Sequence, residues 1–531
     1  MGPGGGTDVL RRPLQAELPS IAAATTCLVA VLLGWRGADW PAQLFRVELF
    51  ERSGFTVWNN HWYGGHHLPG YSLLFPALGS LVGPTTVAVA SAVGATACFD
   101  RLTRARFGPP ARIGALWFGV AMVTNLAVGR LTFLLGLALG LAALLAAQRH
   151  HAVVATAATV ACALASPVSG AFLALAWTAW AVATRRAGPL LLAVAALAPV
   201  GLVAVAFPTG GRFPFGWAAA LGAIAASAAA WRWLGHDAVL RAGALLYAAA
   251  VALTWLVPNP MGANVSRLWV YALGPLLACT RLLRRRVLAL VLVPVLGAAQ
   301  VLPALDAMVR AQRDPSSDLA YHQPLIDELL ARGAATARVE IPFTRRHWEA
   351  RYVAAAVPIA RGWERQLDIL TNPLFYEAEL TMATYERWLR DDAIRFVALP
   401  DAELDGSAQA EARLLEEGVP SLELVWQDEH WRLWERRAPT ELVVGPATLA
   451  VLGDDHVELD VQGRGEIVLR VRSSSHWRVV GPGCAARTDE GWTRITGVEP
   501  GRVVLEQVVA RTHLASGGDR CGGGLAAPPP P

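Results

Sequence analysis

Residues 68–83 read LPGYSLLFPALGSLVG, and the topology of the chain turns on whether they cross a membrane. Counted as a crossing, they invert every later loop and put the arginine clusters outside. Pro69 and Pro76 interrupt a helix here. The stretch therefore reads as a bent lead-in to the next span, packed against protein, where irregular backbone is tolerated at membrane depth. Eleven apolar segments then remain as spans: 18–36, 82–100, 113–128, 131–148, 152–166, 168–184, 188–207, 215–231, 240–257, 268–283 and 287–305. With the N-terminus in the cytoplasm, the inner segments hold 15 arginines and the outer ones six. That asymmetry follows the positive-inside rule. An odd number of spans leaves the C-terminal half outside.

Composition supports two solvents. Of 531 residues, 54% are hydrophobic and 17% charged, against about a quarter charged in soluble proteins. The deficit is confined to 18–305, whereas 306–513 reads as ordinary soluble protein. The net charge of +4 is small and spread along the chain, which gives no reason to expect nucleic-acid binding. Every basic residue is arginine. The first apolar run follows Arg11 and Arg12 without a small-residue cleavage site, so it reads as a retained span in the plasma membrane.

The expected organisation is a cytoplasmic tail at 1–17 and a helical membrane domain at 18–305 whose first outer loop is 37–81. An extracytoplasmic α/β domain at 306–440, a β-sandwich-like domain at 441–513 and a Gly/Pro-rich tail at 514–531 follow. ARVEIPF and IRFVALP read as buried strands, ATYERWLRDD as a helix between them, and LELVWQDEHWRLWERR (422–437) as a hairpin turning at Gln427–His430. Short alternating segments from 441 onward predict the sandwich. Cys27, Cys98, Cys162 and Cys279 fall in apolar spans, where a lone thiol acts as a small hydrophobe. Cys484 and Cys521 are the two left in the aqueous half, and an outside location permits a disulfide between them.

Polar residues recur at the outer ends of spans. Asp39, Arg46 and Glu48 follow the first; Arg130 lies between the third and fourth, Arg212 between the seventh and eighth, and Asn264 and Arg267 open the tenth. The first loop adds WNNHWYGGHHLPGY (58–71), with Asn59, Asn60, His61, Trp62, Tyr63, His66 and His67. A lipid-linked sugar phosphate suits such a set. Arginines bind phosphate through charge-assisted hydrogen bonds, a carboxylate accepts a proton as general base, and flat rings stack on sugar. Each residue also has a plainer reading. Asp39 before Trp40–Pro41 fits an N-cap as well as a base. Glu48 fits a solvated charge, Arg130 and Arg267 snorkelling anchors, the histidines solvated loop residues, and Trp58, Trp62 and Tyr63 an interfacial belt.

The first loop, DWPAQLFRVELFERSGFTVWNNHWYGGHHLPGYSLLFP, resembles that of bacterial GT-C fold glycosyltransferases and their multi-span relatives of actinobacterial type. In that group an acid after the first span is followed by an amphipathic helix, a W-x-x-x-W/Y-x-G stretch and a Y-x-x-x-x-P lead into the next span. GRLTFLLGLALGLAALL (129–145) and NVSRLWVYALGPLLA (264–278) resemble later spans, so the likeness covers roughly 18–305. It implies sugar transfer from a polyprenyl-phosphate donor to an extracytoplasmic cell-wall glycan or lipid-linked acceptor. Asp39 matches the catalytic acid and Arg267 a donor-phosphate contact; from the span-end and first-loop set read above, Arg46, Glu48, Trp62, Tyr63, His66, His67, Arg130 and Asn264 are expected as further substrate contacts. Where the better-studied members carry paired acids, this chain has a lone Asp39–Trp40, which leaves a divalent metal cofactor open. Two rivals stand beside this reading. A secondary transporter would favour an internal repeat and mid-membrane gates, and an inactive scaffold for envelope assembly would need no second acid.

Overall fold

A computed structural model describes residues 17–280, 286–310, 314–376 and 379–509. The chain divides into two compact units, one formed by 1–43 with 70–313 and the other by 44–69 with 314–531.

The first unit is helical. Its helices are α1 (Leu18–Leu32), the start of α2 (Trp40–Ser53), α3 (Phe75–Val82), α4 (Pro84–Phe107), α5 (Ala111–Val128), α6 (Leu131–Gln148), α7 (Ala152–Ala165), α8 (Pro167–Thr184), α9 (Gly188–Ala206), α10 (Trp217–Leu234), α11 (Ala238–Leu256), α12 (Arg267–Ala278) and α13 (Arg286–Arg310). Each expected apolar segment is thus mainly helical over its described residues. Small residues let the helices approach closely. A Cβ added to Gly114 of α5 would collide with the Pro275 carbonyl of α12 and the sulfur of Cys279, which caps that helix. On α9 only Ala193 and Ala196 are buried, while Leu191, Leu202 and Val205 are about 70% exposed. An apolar helix open on most of its surface requires an apolar solvent.

Among the described residues, six helices are long and apolar enough to cross a membrane: α5, α6, α8, α9, α11 and the 289–310 part of α13. The count reaches seven if α3 and α4, which meet at 110°, form one broken span rather than a re-entrant loop. Eleven crossings are not reached by this measure. The 15 residues of α1 extend only about 22 Å at 1.5 Å per residue, short of a hydrocarbon core of about 30 Å. The 14 residues of α7 and 12 of α12 fall further short. At the corner between α3 and α4 the turning residue is Gly83, with φ +86°, not Pro76, which lies in the first turn of α3.

The second unit mixes helices and sheets. Residues 44–69 contribute the rest of α2 and a hairpin of β1 (Trp58–Asn59) and β2 (His66–His67). An α/β layer follows with α14 (Leu319–Ala331), β3 (Arg338–Glu340), α15 (Glu349–Tyr352), α16 (Arg365–Thr371), α17 (Met382–Asp391), β4 (Ile394–Pro400), α18 (Gln409–Glu417), β5 (Leu422–Gln427) and β6 (Trp431–Arg436). Its sheet order is β3-β4-β6-β5. The β3–β4 pair is parallel and the others are antiparallel.

The remaining strands are β7 (Val443–Val444), β8 (Ala447–Leu452), β9 (His456–Val461), β10 (Ile467–Arg472), β11 (Trp477–Val480), β12 (Cys484–Arg487), β13 (Trp492–Thr496) and β14 (Gly501–Gln507). They form two antiparallel sheets, β12-β13-β10-β7 and β11-β14-β9-β8. The alternating inward residues of both, Val457 and Leu459 from one and Ile467 and Leu469 from the other, share one core. That shared core makes a sandwich. Cys484 is disulfide-bonded; Cys521, its expected partner, lies outside the described residues, as do the N-terminal tail 1–16 and the tail 514–531.

The first outer loop, expected at 37–81 as part of the membrane domain, is divided. Residues 44–69 fold with the C-terminal unit because their aromatic side chains are buried there. Trp58 joins the sandwich core, 5.7 Å edge-on from Trp477.

Candidate functional site

At one end of the first unit, three elements bring charged side chains together. The stretch after α1 is pinned to the end of α5. The Gly37 N–H donates to Ala127 O at 2.7 Å, the Asp39 N–H to Val128 O at 3.1 Å, and Trp40 Nε1–H to Leu126 O at 2.8 Å. Gly129, in the left-handed region at φ +99°, ends α5 directly against the Asp39–Trp40 peptide, and a Cβ there would collide with the Trp40 nitrogen. Arg130 follows at the start of α6. Arg267 is set by the 3-10 turn Gly262–Ser266, which Tyr247 anchors by donating its hydroxyl to Val265 O at 3.0 Å.

Arg267 is half-buried, with its guanidinium carbon 5.4 Å from the Phe133 ring centre. It lies within electrostatic reach of Arg130, Asp39, Tyr71 and Tyr271. Arg130 Nη1–H donates to Tyr271 Oη at 3.2 Å, as does the Thr124 hydroxyl. Gln43 Nε2–H donates to Tyr71 Oη at 2.9 Å. Two cations, one carboxylate and two phenols therefore share one neighbourhood, with a formal excess of one positive charge. Asn264 sits in the turn before Arg267, and Arg212 in the loop 207–216.

Polar atoms here also lack partners. Asn125 is fully buried on α5, and neither its Nδ2 nor its Oδ1 has one. Arg130 Nε and Ser266 Oγ are likewise buried without a hydrogen bond. Protein interiors rarely leave such groups unmatched, so the end of this unit holds more hydrogen-bonding capacity than it uses.

The remaining first-loop residues expected to touch substrate are engaged inside the second unit. Arg46 pairs with Glu364, both nearly inaccessible, and its guanidinium lies 5.3 Å from the Trp62 ring. Glu48 accepts from Arg351 Nε at 2.9 Å. Trp62 is fully buried, stacked between Phe45 and His66, and donates Nε1–H to Ala350 O at 3.0 Å. Only glycine fits at 362, where a Cβ would strike the Trp62 ring.

Tyr63 holds φ +59°, an outlier for a bulky residue. Two bonds fix it: its hydroxyl donates to Gly362 O at 2.5 Å and accepts the Glu364 N–H at 2.8 Å. Burial pushes the His66 imidazole down to about 3, helped by the Arg46 charge, so His66 stays neutral. His67 Nε2 lies 3.0 Å from Ser474 Oγ. Asn60 donates Nδ2–H to Gly453 O at 2.8 Å, and the His61 carbonyl accepts the Ile359 N–H at 2.8 Å. These bonds stitch the loop to both layers of the unit.

A second charged group is sealed inside the α/β layer. Arg361 donates Nη2–H to Asp368 at 2.8 Å, and its Nη1 lies 3.4 Å from Glu411 and 3.7 Å from Glu340. The Phe343 and Phe375 rings cover its two faces at 4.0 and 3.9 Å. The guanidinium and the carboxyls face one another, so this group organises the fold rather than a ligand. Among the described residues, no group of three or more His, Cys, Asp or Glu side chains is arranged to hold a metal ion.

Tyr71 and Tyr271 were not among the residues expected from sequence, although Tyr271 lies four residues after Arg267 on the same helical face. Asn125 gave less signal, inside an apolar run. No protein-family model matches the chain, and no curated protein sequence matches it either.

Proposed function

We propose that this chain is an integral membrane glycosyltransferase of GT-C type, transferring a sugar from a polyprenyl-phosphate donor to an acceptor in the cell envelope. The observation that carries the reading is the convergence of Asp39, Arg130 and Arg267, spread over more than 200 residues of chain, on one end of the helical unit. Asp39 takes the proton of an acceptor hydroxyl. The freed oxygen attacks the anomeric carbon, and the bond from that carbon to the phosphate oxygen breaks with inversion. The polyprenyl phosphate departs with the bonding electrons, its charge held by Arg267 and Arg130. The arginine asymmetry of the loops favours an outward-facing site, with α1, α7, α10 and α12 completing the bundle within a membrane protein of eleven crossings.

The test uses the purified full chain in nanodiscs with radiolabelled polyprenyl-phosphate sugars and a cell-wall glycan acceptor. Wild type transfers label, and Asp39→Asn lowers the rate by roughly 10²- to 10⁴-fold, the range for loss of a general base. Transfer that survives the substitution removes Asp39 from the base role. Solute uptake into vesicles without any transfer favours a transporter instead.

A further inference from the structure

The Asn125 amide is the strongest unexplained feature of the first unit. A helix of 3.6 residues per turn brings residues eleven apart onto one face, so Asn125 shares a face with Gly114. That face packs on α12, since Gly114 abuts Pro275 and Cys279. One residue before Asn125, the Thr124 hydroxyl reaches Tyr271, one turn into α12 from Arg267. The Asn125 carbonyl accepts the Gly129 and Arg130 N–H groups at 3.1 and 2.9 Å. Asn125 thus lies level with the charged group, not deep in the bundle. Its side chain is fully buried with a vacant acceptor and two vacant donors.

An isosteric leucine would avoid the cost of burying that amide. Retaining it at the edge of a charged site calls for a ligand. The arginines match phosphate, which only accepts hydrogen bonds; an amide both donates and accepts, as a sugar hydroxyl does. We infer that Asn125 is a positioning residue that hydrogen-bonds a hydroxyl of the transferred sugar while Arg130 and Arg267 hold the phosphate. The inference rests on the donor class proposed above.

The experiment measures binding to the full chain in nanodiscs of farnesyl phosphate and of its mannosyl, glucosyl and arabinofuranosyl esters. Wild type is expected to prefer at least one sugar ester over bare farnesyl phosphate. Asn125→Leu is expected to bind farnesyl phosphate as wild type does, yet to bind that ester about 5- to 20-fold more weakly, as the loss of one or two hydrogen bonds gives. Its ligand-free melting temperature should stay level or rise. A general packing defect would weaken both ligands together, and Asn125→Ala provides the same comparison if leucine disturbs folding. If wild type prefers a sugar ester and both variants keep the full preference, the amide serves only to hold internal water and the inference falls alone. If wild type prefers none of the esters, the donor reading falls with it.

Discussion

Two sets of polar residues, one in each unit, differ in how their charges are met. In the second unit, Arg46 has Glu364, Glu48 has Arg351, and Trp62 and Tyr63 spend their polar atoms on Ala350 and Gly362. In the first unit, Asn125, Arg130 Nε and Ser266 Oγ remain unmatched beside Arg267 and Asp39. Unmatched atoms also occur in the second unit, both His66 ring nitrogens and Asn59 Nδ2 among them, so unmet capacity guides to a site where it coincides with the excess positive charge of the Asp39, Arg130 and Arg267 group. The aromatic and histidine cluster is the more conspicuous in sequence, yet it belongs to folding. The sparse residues at helix ends are the better candidates for chemistry.

The widest separation should come from exchanging the two kinds of damage. Trp62→Ala removes a fully buried ring and should cost about 3–5 kcal/mol, read as an early unfolding transition of the full chain in denaturant. Arg267→Met should leave that transition in place while weakening binding of farnesyl phosphate by about 10- to 100-fold, the worth of hydrogen bonds to a charged group. A Trp62→Ala protein that unfolds normally but loses binding would reverse the comparison.

The buried Arg46–Glu364 pair sharpens it further. Burial raises the Glu364 carboxyl above its ordinary range, while Arg46 pulls it back. Arg46→Met strands that carboxylate and should destabilise the second unit by about 3–5 kcal/mol. Arg46→Met with Glu364→Leu should recover most of the loss, because no charge is then left unpaired. If single and double variants unfold alike, the pair does not act through mutual neutralisation.

Much of the fold could be read in advance, for physical reasons that also mark where reading stopped. Apolar runs broken by Gly and Arg placed all eleven helices near their observed limits, and alternation from 441 onward signalled the sandwich. The hairpin at 422–436 followed from its two apolar runs. Crossing counts were less legible, because composition registers a short helix such as α7 as readily as a full span. Loop membership was hidden altogether. Trp62 meets Ala350 and Tyr63 meets Gly362 across nearly 300 residues of chain, and no periodicity encodes such a pairing. Asp39, Arg130 and Arg267 were visible as span-end charges, whereas Asn125 was masked by its apolar neighbours.

The smallest effect expected is a pH dependence, and it tests how charge is balanced in the second unit. Arg361 faces Asp368, Glu340 and Glu411, with Tyr376 and Tyr385 alongside. Three carboxyls around one guanidinium cannot all ionise in a sealed interior. Burial pushes Glu411 up to about 7 and Glu340 well above its ordinary range. A carboxyl that ionises near 4.5 when unfolded and near 7 when folded holds its proton longer in the native state. Its stabilisation is full below pH 4.5 and fades as pH rises through 7, by up to about 1.4 kcal/mol per pH unit. His66 opposes this, because its depressed folded value removes stability as pH falls below 6.5. Glu411→Gln keeps a group able to meet the Tyr385 hydroxyl at 2.8 Å but cannot ionise. Denaturant unfolding of the full chain between pH 5 and 7.5 should therefore show a shallower loss of stability toward high pH in Glu411→Gln than in wild type. Parallel curves would mean that the proton on this cluster resides elsewhere, and Glu340→Gln would then be the variant to flatten the profile.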